Sequence, residues 1–269
     1  MKKIIIIILC LAMLLPCVSV YANADEPERR EACEVFTDVD KDAWYYKYVN
    51  EMYYQRVVNN HIYMTGTSET TFEPNRVLTR EEAVTIVFRR ALKSISIDEY
   101  DFEPTGEVFD DVPLGKWYTK YVEFAYALGM IEGIGDNKFG TGQPVTRQDF
   151  AVMIYNLLDS TAAIHLANYR SVYEFKDYDQ IADYAREAMR DFCGINGWSI
   201  GQDAHDLGID HPFYPLFVGY NGYVYPTNPI TRAQTACILT NFITDRIGGL
   251  LLSVKILINI NHLEIKIIS

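Results

Sequence analysis

Cysteine is scarce, with five in 269 residues and no Cys-x-x-Cys pair among them. Cys10 and Cys17 lie in an N-terminal stretch expected to be removed. Cys33, Cys193 and Cys237 are left, an odd set at wide spacing that excludes a disulfide framework and a zinc knuckle. Cys193 and Cys237 fall on apolar helix faces and read as small core residues. Basic charge is also short. Lys and Arg number 24 against 36 Asp and Glu, a formal charge of -12. That balance argues against nucleic acid and against anionic membrane surfaces as partners. An acidic polymer can be met only at local basic spots. The apolar stretch from Leu250 to Ile268 is interrupted by Lys255, Glu264 and Lys266, so its runs are too short to span a bilayer and no direct membrane insertion is expected. GxSxG, HExxH and the phosphate-binding P-loop are missing. Gly133-x-Gly135 follows a helix and not a strand, which excludes a dinucleotide fingerprint. The acids and imidazoles at Asp203, His205, Asp206, Asp210 and His211 offer no fixed ligand frame. Acid pairs such as Asp110-Asp111 are not placed across a groove as a glycosidase requires. No catalytic residue, metal or cofactor is expected.

The N terminus has the layout of a secretory signal peptide. Met1-Lys2-Lys3 is a basic start, Ile4 to Leu15 is apolar, and Ala22-Asn23-Ala24 is a small-residue cleavage site. Cleavage at residue 24 makes Asp25 the first mature residue, and residues 25–35 read as a charged, mobile leader.

Three stretches then begin alike: Leu78-Thr79-Arg80-Glu81-Glu82, Val145-Thr146-Arg147-Gln148-Asp149 and Ile230-Thr231-Arg232-Ala233-Gln234. In each, an apolar residue precedes Thr-Arg, and an acid or amide stands three residues after the Thr. Apolar residues at helical spacing come next. This is a capping box, in which the Thr hydroxyl takes an orphan N–H and the later side chain reaches back. The Arg is out of place at the positive end of the helix dipole, where a cation costs up to about 1 kcal/mol. Two readings remain open. A helix N terminus with an Arg beside it suits a carboxylate or phosphate; alternatively the Arg lies over a neighbouring helix or pairs with an acid. On either reading the Thr caps and apolar stripes stay when the Arg is removed, so such variants are expected to keep their thermal stability nearly intact.

Each Thr-Arg helix closes a longer repeat. Repeat 1 (36–93) opens at Phe36-Thr37-Asp38-Val39, with Trp44 and a stripe of Tyr48, Val49, Met52, Tyr53 and Val57. After a linker (94–108), repeat 2 (109–160) opens at Phe109-Asp110-Asp111-Val112. It carries Trp117, a stripe of Tyr121, Val122, Ala125 and Leu128, and the helix-ending Gly129 to Gly133. After a second linker (161–174), repeat 3 (175–247) opens at Phe175-Lys176-Asp177-Tyr178. Tyr184 takes the Trp place one residue late, Gly197 to Gly201 mirrors Gly129 to Gly133, and an insertion spans 202–223. Residues 248–269 form an atypical apolar tail. The expected fold is mainly α, with three two-helix repeats around a pseudo-threefold axis, because neither helix pair can bury its faces alone.

The ordered pattern of Phe-x-Asp-Val, Trp, Gly-Met/Ile-x-x-Gly, Phe, Pro and Thr-Arg-x-Glu resembles the S-layer homology module, three times over from Phe36 to about Arg246. The resemblance implies a three-pronged helical spindle that anchors a secreted protein to the bacterial cell wall. The implied partner is a secondary cell-wall polysaccharide, often carrying a pyruvate ketal, whose carboxylate agrees with the anion reading of the helix start. By position, Arg80, Arg147 and Arg232 match the arginine that grips the ketal. Asp38, Asp111 and Asp177 match an early acid that holds sugar hydroxyls or orients the Arg; read locally, Asp38 and Asp111 form Asx-turns. Trp44 and Trp117 match the groove aromatic; read from the stripe they are core. Gly129, Gly133, Gly197 and Gly201 match glycines that let backbone approach a sugar, or simply end a helix. Repeat 1 has Arg56 and Asn60 where repeat 2 has Gly129 and Gly133, so repeat 2 is the one with every element, and Arg147 is expected to matter most. Such modules usually tether a larger cargo, so the tail reads as a frameshifted or truncated end. A glycan hydrolase using the same grooves and a self-assembling lattice subunit are the alternatives.

Overall fold

The computed structural model describes residues 30–59, 62–92, 102–159, 175–194 and 217–243. The expected signal peptide, Asn60, Gly197, Gly201, the Asp/His loop of 203–211 and the tail of 248–269 lie outside these residues. The chain divides into a unit Met1–Arg30 and a unit Glu31–Ser269. Every helix and strand among the described residues belongs to the second unit.

The fold is mainly α. Its helices are α1 (Ala32–Val35), α2 (Tyr46–Asn59), α3 (Arg80–Leu92), α4 (Thr119–Ala127), α5 (Arg147–Asp159), α6 (Arg186–Phe192) and α7 (Arg232–Ile243). Two two-residue strands, β1 (Cys193–Gly194) and β2 (Phe217–Val218), pair in parallel. Among the described residues no helix is long and apolar enough to cross a membrane.

The three Thr-Arg helices start where the capping boxes place them, but the boxes are filled differently. At α7 both halves form: the Gln234 amide donates to the Thr231 hydroxyl, and the Thr231 amide donates to the Gln234 side chain. At α3 only the acid half forms, from the Thr79 amide to Glu82, and the Thr79 hydroxyl is left without a partner. At α5 the Asp149 amide donates to the Thr146 hydroxyl, which donates on to the Asp149 carboxylate.

The apolar residue before each box has a second task. Leu78, Val145 and Ile230 are fully buried. The Leu78 amide donates to the Ile230 carbonyl, Ile230 to Val145, and Val145 to Leu78, each at 3.0 Å. The three repeats thus close into a ring of backbone hydrogen bonds. The residues after them continue it: the amides of Arg80, Arg147 and Arg232 donate to Gln143, Asn228 and Arg76, each at 2.9 Å. These bonds supply partners to helix-start amides that have none within their own helices.

Helix packing crosses repeat boundaries. α4 of repeat 2 packs on α3 of repeat 1, α6 of repeat 3 on α5 of repeat 2, and α2 of repeat 1 on α7 of repeat 3. Each Thr-Arg helix is therefore covered from more than one side. Ala83, Ile86 and Val87 are buried as the stripe of α3 predicts, but Val84 and Phe88 are buried too. The same widening adds Phe150 and Met153 to α5 and Ile238 to α7.

The end of the leader, expected to be mobile, and part of the first linker are held against the helices. The end of the leader forms α1, with Ala32 buried and its amide on Asn50 Oδ1 at 2.9 Å. In the first linker, Phe102 stacks on Phe124 at 4.7 Å, and the amides of Thr105 and Gly106 each donate at 2.7 Å to the buried carboxylate of Glu123. A buried acid needs such donors, since leaving it unpaired is costly.

The opening Phe and Asp of each repeat brace the loop before its Thr-Arg helix. Phe36, Phe109 and Phe175 each lie against a glycine: Gly66, Gly133 and Gly219. A Cβ on Gly66 would sit 2.4 Å from the Ser68 carbonyl and 2.6 Å from the Phe36 ring. The acids reach far along the chain and form no local Asx-turn. Asp38 accepts the amides of Phe72 and Glu73, Asp111 those of Phe139, Gly140 and Thr141, and Asp177 those of Val224 and Tyr225. The second residue of each set has positive φ, at 55° for Glu73, 91° for Gly140 and 53° for Tyr225, a geometry that the carboxylate clamp holds in two non-glycine residues.

Two variants test this bracing. Gly66→Ala should destabilise the protein by about 1–3 kcal/mol through overpacking, read as a lower midpoint in thermal unfolding. Asp111 feels burial, which raises its pKa, but three backbone amides outweigh it and hold the folded value below the ordinary one. Its contribution is therefore complete above the unfolded pKa of about 3.9 and is lost as pH falls through the folded value. Asp111→Asn should cost about 1 kcal/mol at neutral pH, screening by solvent included. It should also flatten the loss of stability on acidification, as measured by denaturant titration at several pH values.

Candidate functional site

Each predicted arginine reaches out of its own repeat. Arg80 Nε donates to the Phe139 carbonyl at 2.9 Å, Arg147 Nε to Val224 at 2.9 Å, and Arg232 Nε to Phe72 at 2.7 Å. These acceptors are the residues whose amides the aspartates hold. Asp38, Phe72 and Arg232 thus form one chain of contacts, and Asp111–Phe139–Arg80 and Asp177–Val224–Arg147 repeat it. The acids orient the arginines through one intervening residue. The guanidinium groups of Arg80 and Arg232 also lie over the Phe139 and Phe72 rings, at 5.1 and 4.6 Å, contacts that favour a cation. The arginines thus tie neighbouring repeats together, and removing one would leave the Thr cap in place but take away an inter-repeat bond.

The tryptophans are not core. Trp44 and Trp117 are 59% and 58% exposed; both precede their helices, and so fall outside the buried stripes. Trp117 stands in a groove of about 230 Å³ with Tyr63, Thr65, Glu82, Thr85, Arg89 and Arg232. Three repeats build it. Repeat 3 supplies Arg232, repeat 1 supplies the loop and α3, and repeat 2 supplies Trp117, which α4 carries in by docking on α3. Arg232 Nη2 also donates to the Thr65 carbonyl. Burial, and then the nearby Arg76, lower its pKa to about 10, which leaves it protonated at neutral pH. The charge of Glu82 favours the Arg232 cation, but its two carboxylate oxygens are gripped by Arg76, at 2.8 and 3.0 Å. Burial raises the Glu82 pKa, and Arg76 with the Thr79 amide more than reverses that. Two arginines therefore face this groove, and its acid belongs to a third.

The matching place beside Arg80 is built differently. Asp149 lies 3.9 Å from Arg80 Nη1, and Tyr184, standing where the groove above has Trp117, donates its hydroxyl to Asp149 at 2.6 Å. Burial and this bond push the Tyr184 pKa to about 12. A carboxylate of the protein thus already answers Arg80, whose pKa burial lowers against the pull of Asp149. Arg147 is buried as well, with its guanidinium 5.5 Å from the Phe217 ring.

Repeat 2 holds every sequence element, but its Trp117 serves Arg232, its loop serves Arg80, and its Arg147 serves the loop of repeat 3. Gly129 has φ 70° and closes α4 as a helix stop: its amide bonds Tyr126, and the Met130 amide reaches back to Ala125. Gly133 is needed for the approach of Phe109 and the Lys138 carbonyl. The repeat 1 counterpart of Gly133 is Gly66, not Asn60, and six residues separate each from the following Phe72 or Phe139; that constant spacing was the available signal. Tyr63, Thr65, Thr85 and Arg89 were not picked out from the sequence. Thr85 and Arg89 lie three and seven residues beyond Glu82, on one face of α3.

The S-layer homology domain model matches residues 35–60 and 108–151. The chain is 24% identical to an endoglucanase of Bacillus sp. (strain KSM-635) over 90% of its own length and 22% of the relative's. It is 34% identical to the surface-layer 125 kDa protein of Lysinibacillus sphaericus over 54% of this chain and 12% of that one. With a cell surface protein of Thermoanaerobacter kivui it shares 28% identity over 56% and 17% of the two chains. It therefore spans less than a quarter of the length of each of these relatives. The two matched segments cover Phe36, Trp44 and the whole of α2, and repeat 2 from Phe109 through Arg147, and over them the chain carries S-layer homology domain sequence.

Proposed function

We propose that this chain is a non-catalytic module that holds a secreted protein at the bacterial cell wall by binding an acidic, pyruvylated secondary cell-wall polysaccharide. The observation that carries the reading is the groove beside Arg232. It is concave, walled by an exposed Trp, and lined by two guanidinium groups whose neighbouring acid is already paired. A ketal carboxylate there would gain a charge-assisted bond in a partly desolvated site. The relatives support the same role, since a surface-layer protein and an endoglucanase match this short chain while being several times longer. That pattern suits a tethering unit joined to varied cargo. A hydrolase would need two carboxylates facing each other across the glycan; among the described residues Glu82 is the single acid lining this groove, and it is fixed by Arg76.

The chain should be retained on purified pyruvylated wall polysaccharide without releasing sugar, and retention should be lost once the ketals are removed by mild acid. Equal retention on ketal-free polymer would end the reading. Binding should weaken modestly with salt, as few charges take part. Arg232→Ala should cost about 2–5 kcal/mol of affinity, and Arg80→Ala clearly less, because Asp149 already answers Arg80. Both variants lose an inter-repeat carbonyl bond, so both should melt earlier. Calorimetry on the two variants, each below its melting range, separates the binding effect from the shared loss of stability.

A further inference from the structure

The groove beside Arg232 continues along α3 to a second polar end. Arg89 stands seven residues beyond Glu82 on the same helix face, a rise of roughly 10 Å. Its Nε donates to the Tyr121 hydroxyl at 3.3 Å, and its guanidinium lies 5.5 Å from the Tyr121 ring. These contacts aim the group without neutralising it. Among the described residues no acid pairs with Arg89. Between the two arginines lies Thr85, 2% exposed, with its hydroxyl lacking any hydrogen-bond partner. A helical Thr ordinarily bonds the carbonyl four residues back, as Thr235 does to Thr231 at 2.9 Å. Thr85 does not. A buried hydroxyl that has given up water for nothing is unfavourable, and the corresponding position in α5 is the apolar Val152. Asn156 stands where Arg89 would be in α5, so this pairing of Thr and Arg is particular to the groove on α3.

We infer that Arg89 and Thr85 form a second contact point in this groove, and that its ligand is a saccharide segment bearing two acidic groups, one met by Arg232 and the other by Arg89, with a sugar oxygen seated on Thr85. This rests on the proposed wall-polysaccharide reading and adds to it a specificity for closely spaced acidic groups. Trp117 walls the groove between the ends, and the bidentate geometry of both guanidinium groups suits carboxylate or phosphate equally.

The test uses the full chain and the purified pyruvylated wall polysaccharide, with affinity measured over a range of salt concentrations. Arg89→Gln should weaken binding by about tenfold or more and flatten the salt dependence, while Arg89→Lys, which keeps the charge but not the fork, should lose less affinity and keep the wild-type salt slope. Thr85→Val should weaken binding about three- to tenfold and at the same time raise the thermal midpoint, because the unpartnered hydroxyl is gone. A purely structural role for Arg89 would lower stability and leave the salt slope unchanged. If Arg232→Ala abolishes binding while Arg89→Gln and Thr85→Val bind like wild type, the second contact point is wrong and the anchoring role stands. If the wild-type chain ignores the polymer, both fall together.

Discussion

Three backbone hydrogen bonds, joining Leu78, Val145 and Ile230 in a ring, set the geometry of everything around them. Each of these residues ends the loop of its repeat and immediately precedes a helix. Linking them fixes where α3, α5 and α7 begin and turns three helix N termini toward neighbouring loops. Their apolar side chains are fully buried, so the ring sits in a water-free centre where unmade backbone bonds would be most costly. No single repeat can form it, and the repeats are therefore interdependent in a way that a simple stack of units is not.

The arginine after each capping Thr acts on both sides of that ring. Its Nε secures the carbonyl of the next loop, which an aspartate holds in place through the adjacent amide. The rest of the guanidinium then faces whatever the surroundings provide. Beside Arg80 these are Asp149 and Tyr184. Beside Arg232 they are a groove, a tryptophan and a second arginine. One repeated scaffold contact therefore carries two different electrostatic outcomes, decided by a few side chains on the neighbouring helix. Of the two readings of the arginine made from sequence, the structure contains the contact to a neighbour, and for Arg80 an acid 3.9 Å away; the anion site is the proposal made above.

Local chemistry was legible from the residues. Thr-x-x-Glu/Asp/Gln marks a helix start because its bonds lie within four residues, and α3, α5 and α7 begin there. The apolar stripes placed Val49, Met52, Val122 and Ala125 in the core, and Cys193 is buried as expected, although in β1 and not on a helix face. Tyr184 was legible as the counterpart of Trp44 and Trp117, although one residue late, because it keeps the same place before its helix. What holds the leader end at Ala32 and the linker at Thr105 and Gly106 lies in Asn50 and Glu123, outside the reach of any local pattern.

What the sequence by itself determined is the repeat, its capped helices and the residue types a groove draws on. Those come from bonds and periodicities that close within a turn or two of helix. Only the tertiary structure decided which of those residues meet. The first helix of each repeat docks on the second helix of the repeat before it in the ring, so Trp117, Arg232 and the face of α3 come together from three repeats. Side chains some hundred residues apart share a groove because buried helix faces and a central ring of hydrogen bonds leave the chain no other way to satisfy both, and no spacing in the sequence encodes that choice of neighbour.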